Sequence, residues 1–217
     1  MDAEVFRTAE DGTLELVGDF DGLYRRVADP WGQSSFDLHL GAYYDRSRTN
    51  LFACLQRRRP IISLMEVGCG HGHVSGALRR LVASVVVGVD VSPTALVRAR
   101  ELYPDCGFEC ADLTQPGLDL GQQHDVVLWG QCLWYLMHEM GVALENSMAH
   151  LRVGGLLVVQ QAFLRDQRYG RGMVDGFAGM LDVVGRALGG QALLVEARLE
   201  EHDDVYSDGL AVWRRVS

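Results

Sequence analysis

Short apolar or β-branched runs recur along the chain, separated by segments in which apolar residues have helical spacing. Such runs predict strands, and the segments between them predict connecting helices. The pattern therefore predicts a parallel sheet covered by helices on both faces, which is an α/β protein. The predicted strands are 64–67, 85–89, 107–111, 125–129 and 156–160, and the predicted helices include 74–81, a helix begun by Ser92 and Pro93, and 137–151, which ends before Gly154 and Gly155.

The two ends of the chain have less regular patterns. Residues 1–30 predict a peripheral arm or short helices, and residues 35–55 predict one or two amphipathic helices that cover a cleft. Residues 164–190 form a helical pattern interrupted by glycines, whereas 192–199 and 209–216 are strand-like. We expect these last two runs to pair with each other.

The most specific local signal is the turn Glu66-Val67-Gly68-Cys69-Gly70-His71-Gly72 after the first predicted strand. Glycine allows positive φ and close approach of a ligand, and the start of the next helix presents unpaired N–H groups. The dinucleotide fingerprint is Gly-x-Gly-x-x-Gly, but His73 stands where its third glycine would be. The turn therefore predicts a ligand site, and its glycine spacing disfavours a dinucleotide.

Two carboxylates follow the next two predicted strands. Asp90 closes the run 85–89, and Asp112 follows the run 107–111. An acidic residue at the end of the second strand of a β-α-β unit is placed to accept hydrogen bonds from ribose hydroxyls. Because parallel strands end at one edge of a sheet, we expect both carboxylates near the glycine turn.

These features occur in the order and spacing of the class I S-adenosylmethionine-dependent methyltransferases, which the chain resembles. The resemblance implies a three-layer, doubly wound sheet of seven mainly parallel strands that ends in an antiparallel C-terminal hairpin. It also implies that the glycine turn holds the methionine portion of S-adenosylmethionine, Asp90 the ribose, and Asp112 with Leu113 the adenine. The segments that carry it are 66–72, 88–92, 110–113, 124–128 with Leu133-Trp134-Tyr135-Leu136, and 151–158.

The arm has a looser resemblance to the nodulation-factor (NodS-like) N-methyltransferases. Asp29-Pro30-Trp31 and Tyr44-Asp45-Arg46-Ser47-Arg48 are similar to the segments that fold over the cofactor there, although the interval between them is several residues longer here. The guanidinium of Arg48 suits the cofactor's carboxylate. We therefore divide the chain into an N-terminal arm and helical lid, residues 1–57, and a Rossmann-like methyltransferase domain, residues 58–217.

Methyl transfer from a sulfonium depends mainly on alignment and desolvation, although a hydroxyl acceptor benefits from a base. The candidate bases are Tyr135, His138 and His39. The predicted acceptor-binding residues are Gln131, Trp134, Tyr135, Tyr43 and Tyr44. The predicted cofactor-binding residues are Trp31, Arg48, Glu66, Gly68, Cys69, Gly70, Gly72, Asp90, Val91, Ala111, Asp112, Leu113, Trp129 and Gly130.

No metal site is predicted. His71, His73 and Cys69 have spacing that resembles a ligand set, but a metal there would share the glycine turn with the cofactor. A fourth ligand is also not apparent in the sequence.

Composition narrows the partners of the protein. A net charge of -9 argues against a nucleic acid partner, because phosphate binding favours a basic face. Five cysteines without a Cys-x-x-Cys pair indicate reduced thiols and a cytoplasmic location. Neither a signal peptide nor a long apolar run is apparent, so we expect no membrane association.

The sequence therefore predicts a methyltransferase that acts on nitrogen or oxygen of a small molecule, either a natural product or a sugar-like acceptor. We expect S-adenosylhomocysteine as the product and a monomer or homodimer. Two alternatives stay open at this point. One is an NAD-dependent Rossmann oxidoreductase, and the other is a non-catalytic regulatory protein that binds S-adenosylmethionine.

Overall fold

The computed structural model describes residues 4–10, 12–33, 38–58, 60–201 and 205–217, with the backbone alone for 38–42. The described strands are β1 (Phe6–Thr8), β2 (Leu14–Leu16), β3 (Ile61–Val67), β4 (Ala83–Asp90), β5 (Gly107–Cys110), β6 (His124–Gly130), β7 (Leu151–Leu164), β8 (Ala192–Glu201) and β9 (Tyr206–Arg215). The helices are α1 (Phe20–Arg26), α2 (Leu38–Gln56), α3 (His73–Leu81), α4 (Pro93–Leu102), α5 (Leu133–Leu136), α6 (Met140–Ala149) and α7 (Gly176–Ala187), with a 3-10 turn at Met137–Glu139.

Seven strands form one sheet in the order β5-β4-β3-β6-β7-β9-β8. Neighbouring strands from β5 to β7 are parallel, whereas β9 runs antiparallel to both β7 and β8. The predicted α/β fold class, with its C-terminal antiparallel hairpin, is confirmed. The strand order reverses between β3 and β6, and ligands of such sheets bind beyond the carboxyl ends of the strands at this point.

The central strands β3, β6 and β7 are buried on both faces over most of their length, as their continuous apolar runs require. On one face, Met65 and Trp129 pack with residues of α6 and α7. On the other face, Leu64 and Val126 pack with residues of α2 and α3, including Leu55. The C-terminal half of α2 is thus part of the core layer, while the division of the chain at residue 57 stays a prediction.

The predicted start of α4 is confirmed. The Ser92 hydroxyl accepts a hydrogen bond from the Ala95 N–H at 3.1 Å, and Pro93 occupies the first helical turn. Serine satisfies a free N–H at the helix end, and proline there loses no hydrogen bond. Because α4 begins directly after β4, this cap fixes the end of β4 beside the glycine turn.

The structure differs from the sequence-based prediction in three segments. Residues 1–30 contain the hairpin of β1 and β2 as well as α1, because alternate residues of these short strands face the rest of the protein. The predicted helix 137–151 ends at Ala149, and the glycine pair at 154 and 155 lies inside β7. Leu151 is buried and pairs with His124, so β7 begins earlier than its glycines suggest. In the segment 164–190, the helix is limited to α7.

Within the described ranges, no helix combines the length and the apolar character needed to cross a bilayer.

We predict that Gly88→Ala destabilises the fold. A Cβ at this position of β4 would lie 2.7 Å from Cys69 Sγ and 2.8 Å from Phe108 Cδ1. Overpacking of this kind costs about 1 to 3 kcal/mol. Chemical denaturation should show this loss, while the control Gly107→Ala, whose Cβ would lie 3.4 Å from its nearest neighbour, should change stability by less than about 1 kcal/mol. Equal stabilities of the two variants would contradict this packing.

Candidate cofactor and acceptor site

A cavity of about 550 Å³ lies at the carboxyl edge of the sheet, where the strand order reverses. The loops after β3 to β6 form its floor, and the arm covers it. Arm residues that line it are Leu16, Gly18, Phe20, Tyr24, Trp31, Gln33, Tyr43 and Tyr44. The other lining residues are Val67, Gly68, Gly70, Val89, Asp90, Val91, Ala111, Asp112, Leu113, Thr114, Gly130, Gln131, Cys132, Trp134, Tyr135, Leu136, Gln161, Ala162 and Leu164.

The glycine turn exposes backbone to this cavity. Gly68 and Gly70 have φ of 69° and 51°, a region that favours glycine. A Cβ at Gly68 would lie 2.8 Å from the Cβ of Cys132, and a Cβ at Gly70 would collide with the Tyr24 hydroxyl. Because both positions need glycine, the turn leaves room for a ligand to approach the main chain.

Asp90 fixes the turn and the start of α4 together. Its Oδ2 accepts from the Gly70 N–H at 2.8 Å, and its Oδ1 accepts from the Ser92 N–H at 2.9 Å. Burial raises the pKa of this carboxyl group, and these backbone N–H groups oppose the rise. A carboxylate has about four acceptor positions, so capacity remains for a ligand's hydroxyls.

Asp112 has one oxygen engaged and one available. Its Oδ1 accepts from the Thr114 N–H at 2.9 Å and from the Thr114 hydroxyl at 2.6 Å. No described residue donates to Oδ2. Beside it, Val91, Ala111 and Leu113 form an apolar part of the lining that suits a flat heterocycle.

Arg48 lies just behind the lining and keeps one unmet donor. Its Nη2 donates to Gln33 Oε1 at 3.1 Å, and its guanidinium lies 5.0 Å from the centroid of the Tyr44 ring. Its Nε is buried and has no hydrogen-bond partner. A buried donor without a partner is costly, so this group favours an anionic ligand nearby.

Glu66 is buried beneath the turn. It accepts a hydrogen bond from the Ser75 hydroxyl. Burial raises the pKa of its carboxyl group to about 7, although the hydrogen bond from Ser75 and the charge of Arg48 oppose the rise. The side chain does not line the cavity, and its hydrogen bond with Ser75 joins the end of β3 to α3.

A buried network joins α2 to the sheet at the other end of the cavity. Asp208 Oδ1 accepts from the Tyr43 hydroxyl and from Gln131 Nε2, both at 3.1 Å. Its Oδ2 accepts from Gln160 Nε2 at 2.8 Å, which also donates to the Ser47 carbonyl at 2.7 Å. Burial raises the pKa of Asp208. This network sets the position of Tyr43 and Gln131 in the lining.

The structure brings most of the predicted site residues to one cavity. Trp31, Gly68, Gly70, Asp90, Val91, Ala111, Asp112, Leu113, Gly130, Gln131, Trp134, Tyr135, Tyr43 and Tyr44 all line it. Their individual roles stay predictions. Gln131 follows β6 with a φ of 62°, and this left-handed conformation directs its side chain into the network with Asp208.

Other predicted residues lie outside the lining. The Cys69 side chain packs against Phe108, and the missing Cβ of Gly72 also faces Phe108, at the start of α3. Trp129 is buried in the core, where its Nε1 donates to the Ser147 hydroxyl at 3.0 Å. Arg48 contacts Gln33 and Tyr44 behind the lining, and Glu66 contacts Ser75 beneath the turn.

The three candidate bases have different surroundings. Tyr135 lines the cavity, but burial raises the pKa of its phenol, so it stays protonated at neutral pH. His138 is exposed outside the cavity and contacts the Tyr169 hydroxyl at 3.0 Å. The side chain of His39 lies outside the described residues.

The sequence analysis missed several residues of the site. Tyr24 lines the cavity and accepts from Trp31 Nε1 at 3.0 Å, and Phe20, Gln33 and Gln161 line it as well. Asp19 is the N-cap of α1, and an aspartate before Phe20 was the sequence signal from which this helix could have been predicted. Asp208 had no local signal, because its partners come from distant parts of the chain.

A second depression, of about 610 Å³, lies between the loop that precedes β6 and the C-terminal half of α6. Its His150 is engaged on both ring nitrogens, by the Leu120 N–H at 2.8 Å and the Asn146 carbonyl at 2.7 Å. This depression therefore offers little free chemistry. In the part of the chain that the structure describes, no group of three or more His, Cys, Asp or Glu residues is arranged to hold a metal ion.

Residues 65–159 match a protein family described as a methyltransferase domain. Trans-aconitate 2-methyltransferase of Klebsiella pneumoniae (strain 342) is 31% identical over 122 residues, which are 54% of this chain and 47% of that protein. Another trans-aconitate 2-methyltransferase, from Enterobacter sp. (strain 638), is 28% identical over 60% of this chain and 50% of its own length. The chain thus spans about half the length of the curated relatives that it matches.

Solved structures support the same fold. N-methyltransferase NodS from Bradyrhizobium japonicum WM9, in complex with S-adenosylhomocysteine, matches with a TM-score of 0.70 and 19% identity, over 91% of this chain and 98% of that one. Magnesium protoporphyrin IX methyltransferase from Synechocystis PCC 6803, with bound S-adenosylmethionine, matches with a TM-score of 0.64 and 19% identity, over 90% and 92%. At these identities the likeness concerns the fold.

The family match and the sheet order together confirm the predicted resemblance. Residues 65–159 match the methyltransferase-domain family, and the chain has the fold of the class I S-adenosylmethionine-dependent methyltransferases, with NodS among its structural neighbours. The structures of NodS and of magnesium protoporphyrin IX methyltransferase hold S-adenosylhomocysteine and S-adenosylmethionine, the predicted product and cofactor.

We predict that the stability of the Glu66→Gln variant, compared with that of the wild-type protein, increases as the pH rises. In the unfolded chain Glu66 ionises near its ordinary pKa of 4.5, whereas in the folded protein its pKa is about 7. Between pH 4.5 and 7, the Glu66 carboxyl group of the wild-type protein is mostly ionised in the unfolded chain and mostly protonated in the folded one. Raising the pH through this range therefore destabilises the folded wild-type protein. The unfolding free energy of the variant, relative to wild type, should therefore rise by about 1 to 3 kcal/mol between pH 5 and 8.

Urea denaturation at several pH values measures this difference. The exposed carboxylate Glu109, changed to Gln, is the matched control and should show a nearly constant difference from wild type. A constant difference for Glu66→Gln as well would contradict the burial of an acidic group beneath the turn.

Proposed function

We propose that the protein is a methyltransferase that moves a methyl group from S-adenosylmethionine to a nitrogen or oxygen of a small molecule. The observation that carries this proposal is one cavity, at the reversal of strand order, that gathers Gly68, Gly70, Asp90 and Asp112. The family match over residues 65–159 supports the reaction class. The structural neighbours NodS and magnesium protoporphyrin IX methyltransferase, solved with S-adenosylhomocysteine and S-adenosylmethionine, support the cofactor.

The residues present fit this cofactor at both of its polar ends. The buried Nε of Arg48 lacks a partner, and a carboxylate supplies one. The turn at Gly68 and Gly70 leaves its backbone open to the methionine portion. The spare acceptor capacity of Asp90 suits the ribose hydroxyls, and Asp112 with Leu113 suits the adenine.

The chain's own contribution to the reaction is alignment and exclusion of water. Phe20, Trp31 and Tyr44 of the arm cover the cavity, and the network around Asp208 fixes the helix that carries Tyr44. When bound, the cofactor supplies a methyl group on a good leaving group, a sulfonium. A covered and rigid cavity therefore suffices to hold the two reactants in line.

Two other functions are less well supported. An NAD-dependent oxidoreductase is not favoured, since the family match is to a methyltransferase domain. The names of the curated relatives refer to trans-aconitate, a tricarboxylate. Recognition of such an anion favours several cations, but no described lining residue is Arg, Lys or His. We retain a small-molecule acceptor, no nucleic acid partner, a monomer or homodimer, and a cytoplasmic location as proposals.

Calorimetry with S-adenosylhomocysteine and with NADH tests the proposal. We expect the wild-type protein to bind S-adenosylhomocysteine and not NADH. Asp90→Ala should weaken this binding by about 1 to 3 kcal/mol, because charged hydrogen bonds to the ribose are lost. The exposed residue Asp105, changed to Ala, is the matched control and should leave binding unchanged.

Because Asp90 also holds the turn, Asp112→Ala serves as a second variant that leaves the turn's hydrogen bonds intact. It should weaken binding in the same direction, with the unfolding transition preserved. Unchanged affinity in both variants, or preference for NADH, would contradict the proposed cofactor site.

A further inference from the structure

The acceptor end of the cavity offers few free polar groups. This end lies beyond β6 and β7 and is lined by Trp31, Tyr43, Tyr44, Gln131, Trp134 and Tyr135. The Tyr44 hydroxyl donates to the Trp31 carbonyl at 3.0 Å, and Trp134 Nε1 donates to the Ala162 carbonyl at 3.2 Å. Tyr43 and Gln131 are held in the network with Asp208. These side chains are therefore engaged within the protein.

Tyr135 is the exception. Its ring lies against Phe20 and Trp31, with centroid distances of 4.9 and 5.9 Å, but its hydroxyl makes no hydrogen bond with any described residue. The groups facing it are Cys132, Tyr44 and Tyr169, none of which is charged at neutral pH. One phenol is thus left to bind a polar group of the acceptor.

The walls of this end are aromatic, and the ionisable groups Arg48 and Asp208 lie behind them, against Tyr44 and Tyr43. Trp31, Phe20 and Tyr135 form one group of rings, and Tyr43 with Tyr44, at a centroid distance of 5.3 Å, forms another. The ionised side chains of the lining are the carboxylates of Asp90 and Asp112, at the other end. Aromatic faces attract ammonium groups, so this environment tolerates a cation and disfavours an anion.

Among the described residues of the acceptor end, no side chain is suited to remove a proton from a hydroxyl, and the available oxygen of Asp112 lies at the other end of the cavity. Burial raises the pKa values of Tyr24, Tyr43, Tyr135 and Cys132. Asp90 is engaged with the glycine turn. An alcohol needs a base to become a good nucleophile, whereas a neutral amine already has a reactive lone pair.

We propose that the acceptor is an amine carried on an apolar or aromatic body, and that the Tyr135 hydroxyl orients it. This inference rests on the proposed methyltransferase function and narrows its acceptor class. The amine lone pair forms the new N–C bond, the C–S electron pair stays on the sulfur, and the N–H proton of a primary or secondary amine then passes to water. The Tyr135 oxygen accepts a hydrogen bond from that N–H and so directs the lone pair.

The same geometry disfavours two other acceptor classes. A sugar would bring several hydroxyls against side chains that are already engaged, and unpaired buried polar groups reduce affinity strongly. A polycarboxylate would meet aromatic rings, and the nearby guanidinium of Arg48, which lies against Tyr44, is already assigned to the cofactor's carboxylate in the proposed site. The acceptor end therefore differs from a site built for sugar or tricarboxylate recognition.

Binding to the protein saturated with S-adenosylhomocysteine tests this inference without turnover. The probes for calorimetry are N-methylbenzylamine, 4-methylphenol, benzoate, glucosamine and trans-aconitate. We expect N-methylbenzylamine to bind at least about tenfold more tightly than each of the others, which corresponds to roughly 1.4 kcal/mol. Equal or tighter binding of any other probe, or no detectable amine binding, would overturn the inference. Failure of S-adenosylhomocysteine itself to bind would instead refute the proposed function.

The pH dependence of methylation provides an independent test. N-methylbenzylamine and N-methylaniline differ widely in their own pKa values. If no base of the protein acts, kcat/KM depends on the fraction of amine that is neutral. The pH at which kcat/KM reaches half of its maximum should then move with the pKa of the amine. A common midpoint for both amines, as a base of the protein such as His39 would give, would overturn the inference.

Tyr135→Phe tests the orienting hydroxyl. We expect kcat for N-methylbenzylamine to fall about tenfold or more, with S-adenosylhomocysteine affinity unchanged, because an orienting hydrogen bond contributes about 1 to 2 kcal/mol to alignment. Tyr169→Phe removes a hydroxyl outside the cavity and is the matched control. Equal kcat values in the two variants would refute the role of Tyr135.

Discussion

The site depends on one buried carboxylate at the end of β4. Asp90 accepts from the Gly70 N–H with one oxygen and from the Ser92 N–H with the other, so it joins the turn after β3 to the start of α4. The N–H groups of Gly68 and Cys69 donate to the Val89 carbonyl, and Asp90 adds a side-chain hydrogen bond to Gly70, at the centre of the turn. The carboxylate supplies this further constraint, and the same group faces the cavity where a ribose is expected.

A second constraint positions the acceptor end. The Asp208 network connects β9, β7 and the loop after β6 to α2, so the arm's aromatic rings are attached to the sheet through buried hydrogen bonds. Buried polar networks of this kind are specific because each unmet partner is costly. Among the described residues of this end, the Tyr135 hydroxyl makes no hydrogen bond, and the proposed amine acceptor rests on this hydroxyl.

The sheet and the cofactor end could be predicted because their signals are local. Apolar runs, the Ser92 cap and the spacing of the glycine turn each reflect neighbouring residues, and they placed Asp90 and Asp112 at one edge. The predicted acceptor residues Gln131, Trp134, Tyr135, Tyr43 and Tyr44 also line the cavity, but the Asp208 network that holds them could not be predicted in the same way. The bond between Tyr43 and Asp208 spans 165 positions, and the arm's short strands have too few residues to show a clear period. In the sequence, Gly154 and Gly155 also resemble the end of a helix. Only the pairing of β7 with β6 shows that they lie in a strand.

The central claim is that S-adenosylmethionine binds between the glycine turn and the two carboxylates. A crystal structure of the protein with S-adenosylhomocysteine tests it most directly. The account predicts ribose hydroxyls within hydrogen-bond distance of Asp90, adenine beside Asp112 and Leu113, and the amino acid portion over Gly68 and Gly70 with its carboxylate near Arg48. A nucleoside bound elsewhere, or one whose ribose does not contact Asp90, would contradict it.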